Sequence, residues 1–231
     1  ISECLVGSEM CIRDRRMSIN MRDVSEIRGT GMAPKVRSQM IEQTRGKLLD
    51  AARQAFGSIG YAQTSMDELT ASVGLTRGAL YHHFGDKKGL LQAVVQQVDA
   101  ELDVQLAEAF ARAASPWDGF KGRCRMFLEM ALHVEVQRIM LRDAPSVLGS
   151  QYLQSSQSDC SASMAAMLQG LMDTRVIQAT DPEALARLIQ GGLMDLSFWI
   201  AGADNPPQRL AASLDSLDLM LRGLLLAPQA Q

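Results

Sequence analysis

No two of the four cysteines, Cys4, Cys11, Cys124 and Cys160, form a C-x-x-C pair, and no histidine stands at zinc-ligand spacing from them. The local signatures of a structural zinc site and of a dithiol redox site are therefore missing, no metal or cofactor is expected, and a reducing cytoplasm suits this sparse usage. No apolar run reaches the twenty or so residues of a membrane helix; the richest, 191–203, is short and carries Asp195. The opening residues lack the apolar core of a secretory signal, so export is not indicated. Catalytic constellations are equally scarce. The nearest approach is His133 with Glu129 and Glu135, and Glu129 lies four residues from His133 on one helical face, the usual spacing of a surface pair. An enzyme is not expected. Aromatic residues make up only 5% of the chain.

Aliphatic residues and methionine take their place. Hydrophobic residues are 47% of the 231 positions and methionine occurs 14 times, a balance that suits helices with adaptable apolar packing. The net charge is −3, but its distribution is uneven. Residues 35–92 hold eight basic and five acidic side chains, residues 93–231 ten and sixteen, and residues 1–34 five of each. One region is thus positive and the remainder negative, as expected if one end of the molecule approaches phosphate.

Residues 1–31 mix charges without any sustained period, and their opening, CLVGSEMCIRDR, resembles translated adapter read-through. They are read as a disordered or non-native leader with Met32 as the expected start; the alternative is a genuine arm, basic at Arg13, Arg15 and Arg16.

Helix starts are most concentrated in residues 65–91, SMDELTASVGLTRGALYHHFGDKKGLL. Ser65 with Glu68 forms a capping box, and Thr76 and Asp86 are the next two caps. Gly74, between Val73 and Leu75, permits the positive backbone angle that ends one helix and redirects the next. This is a helix-turn-helix pattern. Its second helix, expected over 77–83, would lie in the DNA major groove. Leu69, Val73, Leu75, Leu80 and Phe84 recur on the inner side, which leaves Arg77, Gly78, Tyr81 and His82 outside. Arg77 can bond a guanine edge bidentately, and Gly78 admits close approach. Lys87 and Lys88, in the first turn of the following helix, join its free N–H groups as a phosphate site. His82 and His83 diverge by about 100° as helix neighbours and so cannot chelate one ion. Of the two, His82 is the better DNA contact and His83 the better structural residue.

The run T-R-G-A-L-Y-H-H-F-G-D-K-K-G-L-L, preceded by F-x-x-x-G-Y-x-x-T-S-M-D-E-L-T over 56–70, resembles the N-terminal DNA-binding domain of the TetR family of transcriptional regulators. The resemblance covers about 45–95, and L-Y-x-H-F-x-x-K is its characteristic core. It implies an all-helical, homodimeric, ligand-responsive regulator in which Ser65, Arg77, Tyr81, His82 and Lys87 take DNA-contact roles. Thr44 or Arg45, near the start of the preceding helix, can touch phosphate, and Thr76 completes the set. Ala79 departs from the pattern, where many members carry Ser or Thr.

Beyond the motif the periodicity predicts only helices: 39–59 before it, then 86–113, 117–134, 135–147, 152–173, 182–203 and 207–226. The resulting expectation is an all-α chain with a DNA-binding domain over 32–92 and an effector-binding and dimerisation domain over 93–231. Family likeness implies an apolar effector pocket, for which Phe110, Phe127, Met130, Met164, Met167 and Leu171 are the expected walls. The last two helices carry excess apolar surface, and Leu193, Leu196, Trp199, Ile200, Leu214, Leu217 and Leu221 are expected at a four-helix dimer interface. Burial inside one chain is the competing reading. The functional expectation is a repressor on a palindromic operator, released by a small apolar effector; the alternative is an activator or a ligand-independent regulator.

Overall fold

A computed structural model describes residues 34–226, apart from the side chains of 34–37 and 150–159. The leader expected over 1–31 lies outside the described residues. In chain order the elements are α1 (Pro34–Ser58), α2 (Met66–Ser72), α3 (Arg77–Phe84), α4 (Lys87–Ala111), α5 (Pro116–Glu129), a 3-10 turn (Met130–Leu132) and α6 (Val134–Val136). A π-helical stretch (Gln137–Asp143) then leads into α7 (Ala144–Leu148), α8 (Ser150–Asp173), α9 (Pro182–Ala201) and α10 (Pro206–Arg222). The fold is all-α. One isolated antiparallel bridge, Ile177 to Leu225, ties the segment after α8 to the segment after α10. That bridge ends the last helix four residues before the expected 226, because the Leu226 and Gln178 N–H groups bond to the carbonyls of Val176 and Leu224 instead.

Two apolar cores form. One joins α5, α8, α9 and α10 around Phe120, Leu128, Leu168, Leu171, Ile189 and Ile200. The other joins α1 to α4 around Leu48, Phe56, Leu80, Leu90, Leu91 and Val94, and it is completed by Ile139, Ala144 and Leu148 from the π-helical stretch and α7. The small N-terminal bundle therefore borrows part of its core from a segment some fifty residues further along. α4, about 37 Å long at 1.5 Å per residue, spans both regions: Leu90 to Val98 serve the first bundle, and Phe110 packs on the second core.

The helix expected over 117–134 stops at Glu129, and the stop has no glycine or proline to announce it. The chain tightens into the 3-10 turn, His133 becomes extended, and the Gln137 amide donates to the freed Ala131 carbonyl at 2.7 Å. The helix expected over 135–147 is present but is π-helical through its middle. Pro145, at the start of α7, supplies a reason: its ring displaces the carbonyl four residues back and it offers no N–H, so the ladder widens upstream.

This composite segment grips the end of α1. Arg53 forks onto Glu135 at 2.7 and 3.0 Å and reaches Glu101 of α4 at 2.7 Å. Arg138 donates to the carbonyls of Gly57, at 3.4 Å, and Ser58. The Tyr61 N–H donates to the Asp143 carboxylate at 2.7 Å. Helix α1 thus has its orphan carbonyls capped by a side chain from the larger bundle, a tie that local sequence could not announce.

Candidate nucleic-acid interface and apolar cavity

All three predicted residues cap their helices, but at Ser65 only the hydroxyl half of the expected capping box is present among the described contacts. The hydroxyls of Ser65 and Thr76 accept from the N–H groups of Glu68 and Ala79 at 3.4 and 3.2 Å, and the Asp86 carboxylate accepts from Gly89 at 2.6 Å. Gly74 has φ +68°, and the Leu75 N–H closes α2 on the Thr70 carbonyl at 2.9 Å. Leu69 and Leu80 are buried, with Val73, Leu75 and Phe84 packed beside them. That inner set turns Thr76, Arg77, Gly78, Tyr81 and His82 outward together on the first two turns of α3. His83 is half-buried, between His82 and Phe84.

Arg77 does not hang free. Its guanidinium lies 3.3 Å from the Asp67 carboxylate, donates to the Tyr81 hydroxyl at 3.3 Å and sits over the Tyr81 ring. Tyr81 first and Asp67 second raise its pKa. Both side chains are exposed and screened by solvent, so a nucleic acid can displace Asp67 at small cost. Asp67 was not singled out by sequence, since ten residues separate it from Arg77. Lys87 lies 4.5 Å over the Tyr61 ring; burial there lowers its pKa, and Asp143 opposes the shift. The same burial, aided by Asp86, raises the Tyr61 pKa. Arg45 is placed over the Phe84 ring and 4.0 Å from Glu42, flanking α3 from α1. Ser65 is half-buried at the opposite end.

The apolar cavity, about 150 Å³, lies elsewhere than expected. Val95 and Leu102 of α4 form one wall; Phe127, Met130 and Ala131 form another. The segment from Val136 to Pro145 closes a third, through Met140 and Leu141, and Met194, Ser197 and Phe198 of α9 close the last. Of the six predicted walls only Phe127 and Met130 are present. Met164 and Leu171 are buried in the second core and Phe110 and Met167 pack against it, where the apolar side of α8 meets α9. The one polar side chain in the cavity, Ser197, donates to its own helix at Leu193. No lining residue is charged. Cys124, close by in the second core, is a buried thiol whose pKa burial pushes up to about 12.

The residues expected at the dimer face divide by exposure. Leu193, Ile200, Leu217 and Leu221 are buried against their own chain, so a second copy cannot reach them; Leu196 and Leu214 are half-buried. Of the seven, only Trp199 is exposed, at 48%, with Arg209 stacked 3.8 Å over its ring. The apolar surface that does remain outside belongs to neighbouring positions: Leu188 at 74% and Leu219 at 68%, with Met220 beside Leu219 and Gly191-Gly192 beside Leu188.

Among the described residues no cluster of His, Cys, Asp and Glu could hold a metal, and no helix is long and apolar enough to cross a membrane.

A capped two-helix unit presenting Arg77, Gly78 and Tyr81 from an inwardly packed second helix defines a helix-turn-helix DNA-binding protein. Residues 48–94 match the family model described as bacterial regulatory proteins, tetR family, and residues 117–224 match that of the tetracyclin repressor-like C-terminal domain. The crystal structure of a TetR-family transcriptional regulator from Pectobacterium atrosepticum superposes with a TM-score of 0.76 at 51% identity, covering 83% of this chain and 98% of that one. An HTH-type transcriptional repressor of Mycobacterium tuberculosis is 26% identical over 82% of this chain and 98% of its own length. The TetC protein of transposon Tn10 from Escherichia coli is 24% identical over 68% of this chain and 80% of its own. This chain belongs to the TetR family of transcriptional regulators.

Proposed function

We propose that the protein is a repressor that binds a palindromic operator as a homodimer in the cytoplasm and is released when a small, largely apolar effector enters the cavity. Residues 32–92 form the reader and 93–231 the effector-binding and dimerisation part. Arg77, Gly78, Tyr81 and His82 meet base edges; Arg45, Ser65, Thr76 and Lys87 meet phosphate. The exposed stripe of Leu188, Trp199, Leu219 and Met220 is the apolar face for a second copy, with the glycine pair allowing close helix approach. The repressor reading draws on the Mycobacterium tuberculosis relative, which aligns over nearly its full length.

One observation carries the ligand response. The segment from Val136 to Pro145 has Met140 and Leu141 on the cavity wall, and Ile139 in the reader core. A ligand that favours another position of this segment, or of α4 at Val95, acts on the reader directly. A hundredfold loss of operator affinity needs a preference of about 2.7 kcal/mol for the DNA-free arrangement, an ordinary coupling energy.

The test combines in vitro selection of bound DNA with sedimentation. The expected result is a palindrome with half-sites about one helical turn apart and two chains per site. Monomers on non-palindromic DNA would overturn the proposal.

A further inference from the structure

An open cleft of about 440 Å³ adjoins the cavity, and Leu141 and Phe198 belong to the walls of both. The two spaces have opposite character. The cavity is lined without charge, whereas the cleft carries Arg138 and Arg142 and no carboxylate. Phe198, 44% exposed, stands between them. Arg142 is exposed, and its side chain has no hydrogen bond or ion pair among the described residues. Arg138 has no acidic partner there either; it is spent on the Gly57 and Ser58 carbonyls at the end of α1. The Asp143 carboxylate is outside the cleft lining and faces the end of α1, where it accepts from the Tyr61 N–H. Two arginines without carboxylates at the mouth of an apolar cavity are an unbalanced charge pattern, and guanidinium groups are suited to bidentate carboxylate recognition.

We infer that the ligand of this cavity is an amphipathic carboxylate, its apolar body in the cavity and its head group on Arg138 and Arg142. The inference rests on the effector reading above and gives that effector a chemical class. Size limits the body: an apolar cavity of about 150 Å³ accommodates a benzene-sized group, so a medium-length alkyl or an aryl body fits and a steroid does not. The head group also supplies a reason for coupling. A carboxylate is a stronger partner for a guanidinium than two backbone carbonyls are, so a bound ligand draws Arg138 away from the C-terminal end of α1 and loosens the reader.

The experiment is calorimetry on the full chain without DNA, using octanoate, 1-octanol and octylamine. Octanoate is expected to bind at least tenfold more tightly than octanol, with octylamine weakest. In Arg142→Glu, octanoate affinity falls at least tenfold, octanol affinity holds, and octylamine overtakes octanoate. Arg142 is exposed and unpaired among the described residues, so this variant folds; Arg138→Gln, whose native contacts are to carbonyls, is expected to lose the discrimination between octanoate and octanol. Equal binding of octanoate and octanol, octanoate affinity unchanged by Arg142→Glu, or no saturable octanoate binding would each overturn the inference. Octanoate that binds as expected but leaves operator affinity unchanged would support this inference while sinking the effector reading on which its coupling step depends.

Discussion

Ile139 lies outside the helix-turn-helix in sequence, yet it is fully buried in the reader core beside Leu48, Phe56 and Leu91. Replacing it with alanine deletes about three buried carbon groups, roughly 2.4 kcal/mol at about 0.8 kcal/mol each. The cavity left behind adds to that, because the surrounding helices relax only partly, so the expected cost is about 2–5 kcal/mol. For a chain of this size each kcal/mol lowers Tm by roughly 2–4 °C, which gives a fall of about 4–20 °C. The informative assay is hydrogen exchange read peptide by peptide alongside urea unfolding. If the reader and the segment from Val134 to Leu148 share one core, Ile139→Ala lowers protection in α1, α3 and the first half of α4 together. Reader peptides with unchanged protection, while only the larger bundle loosens, would refute the shared-core reasoning.

Three further outcomes follow from the same contacts. Arg77→Ala should reduce operator discrimination at one or two base pairs by roughly 1–3 kcal/mol, whereas Lys87→Ala should weaken all sequences alike and flatten the salt dependence; titrations on matched and scrambled sites over a salt series separate the two. Gly89→Ala should destabilise the reader by roughly 1–3 kcal/mol in a urea titration, since a Cβ there would stand 2.1 Å from the Phe84 carbonyl and force α4 away from its cap. Asp99→Asn should raise Tm at pH 7. Burial first, and Asp103 second, raise the Asp99 pKa, so the folded state disfavours the carboxylate; the advantage of Asn should shrink as pH falls through the folded pKa and vanish below the unfolded value, as a pH series of melts would record.

The parts of the molecule that were legible in the sequence are those fixed locally. Ser65, Thr76 and Asp86 cap helices through bonds to residues three positions on, and Gly74 takes the positive φ that its place between two helices demands. The outward set on α3 follows from a period, and Arg77, Gly78, Tyr81 and His82 are exposed accordingly. What the sequence hid depends on distant partners. Apolar periodicity in α9 and α10 identifies a buried stripe without saying whether the same chain or another covers it, and for Leu193, Ile200, Leu217 and Leu221 it is the same chain. Met164 and Met167 are expected as cavity walls only through the family likeness, but the cavity is enclosed by pieces of α4, α5, α9 and the segment after α5, where Phe127 and Met130 are the two expected walls. The π-helical register has only Pro145 as a local sign. The ties from Arg53, Arg138 and Asp143 span about eighty residues, beyond the reach of any local pattern.

Coupling between cavity and reader is measurable from either side, because linkage is reciprocal. A ligand that weakens operator binding by some factor must itself bind more weakly, by the same factor, to protein saturated with operator. Calorimetric titration of one cavity ligand into the free protein and into the operator complex measures this directly. The predicted result is a matching loss of affinity in the complex; the same ligand affinity with and without DNA would contradict the account.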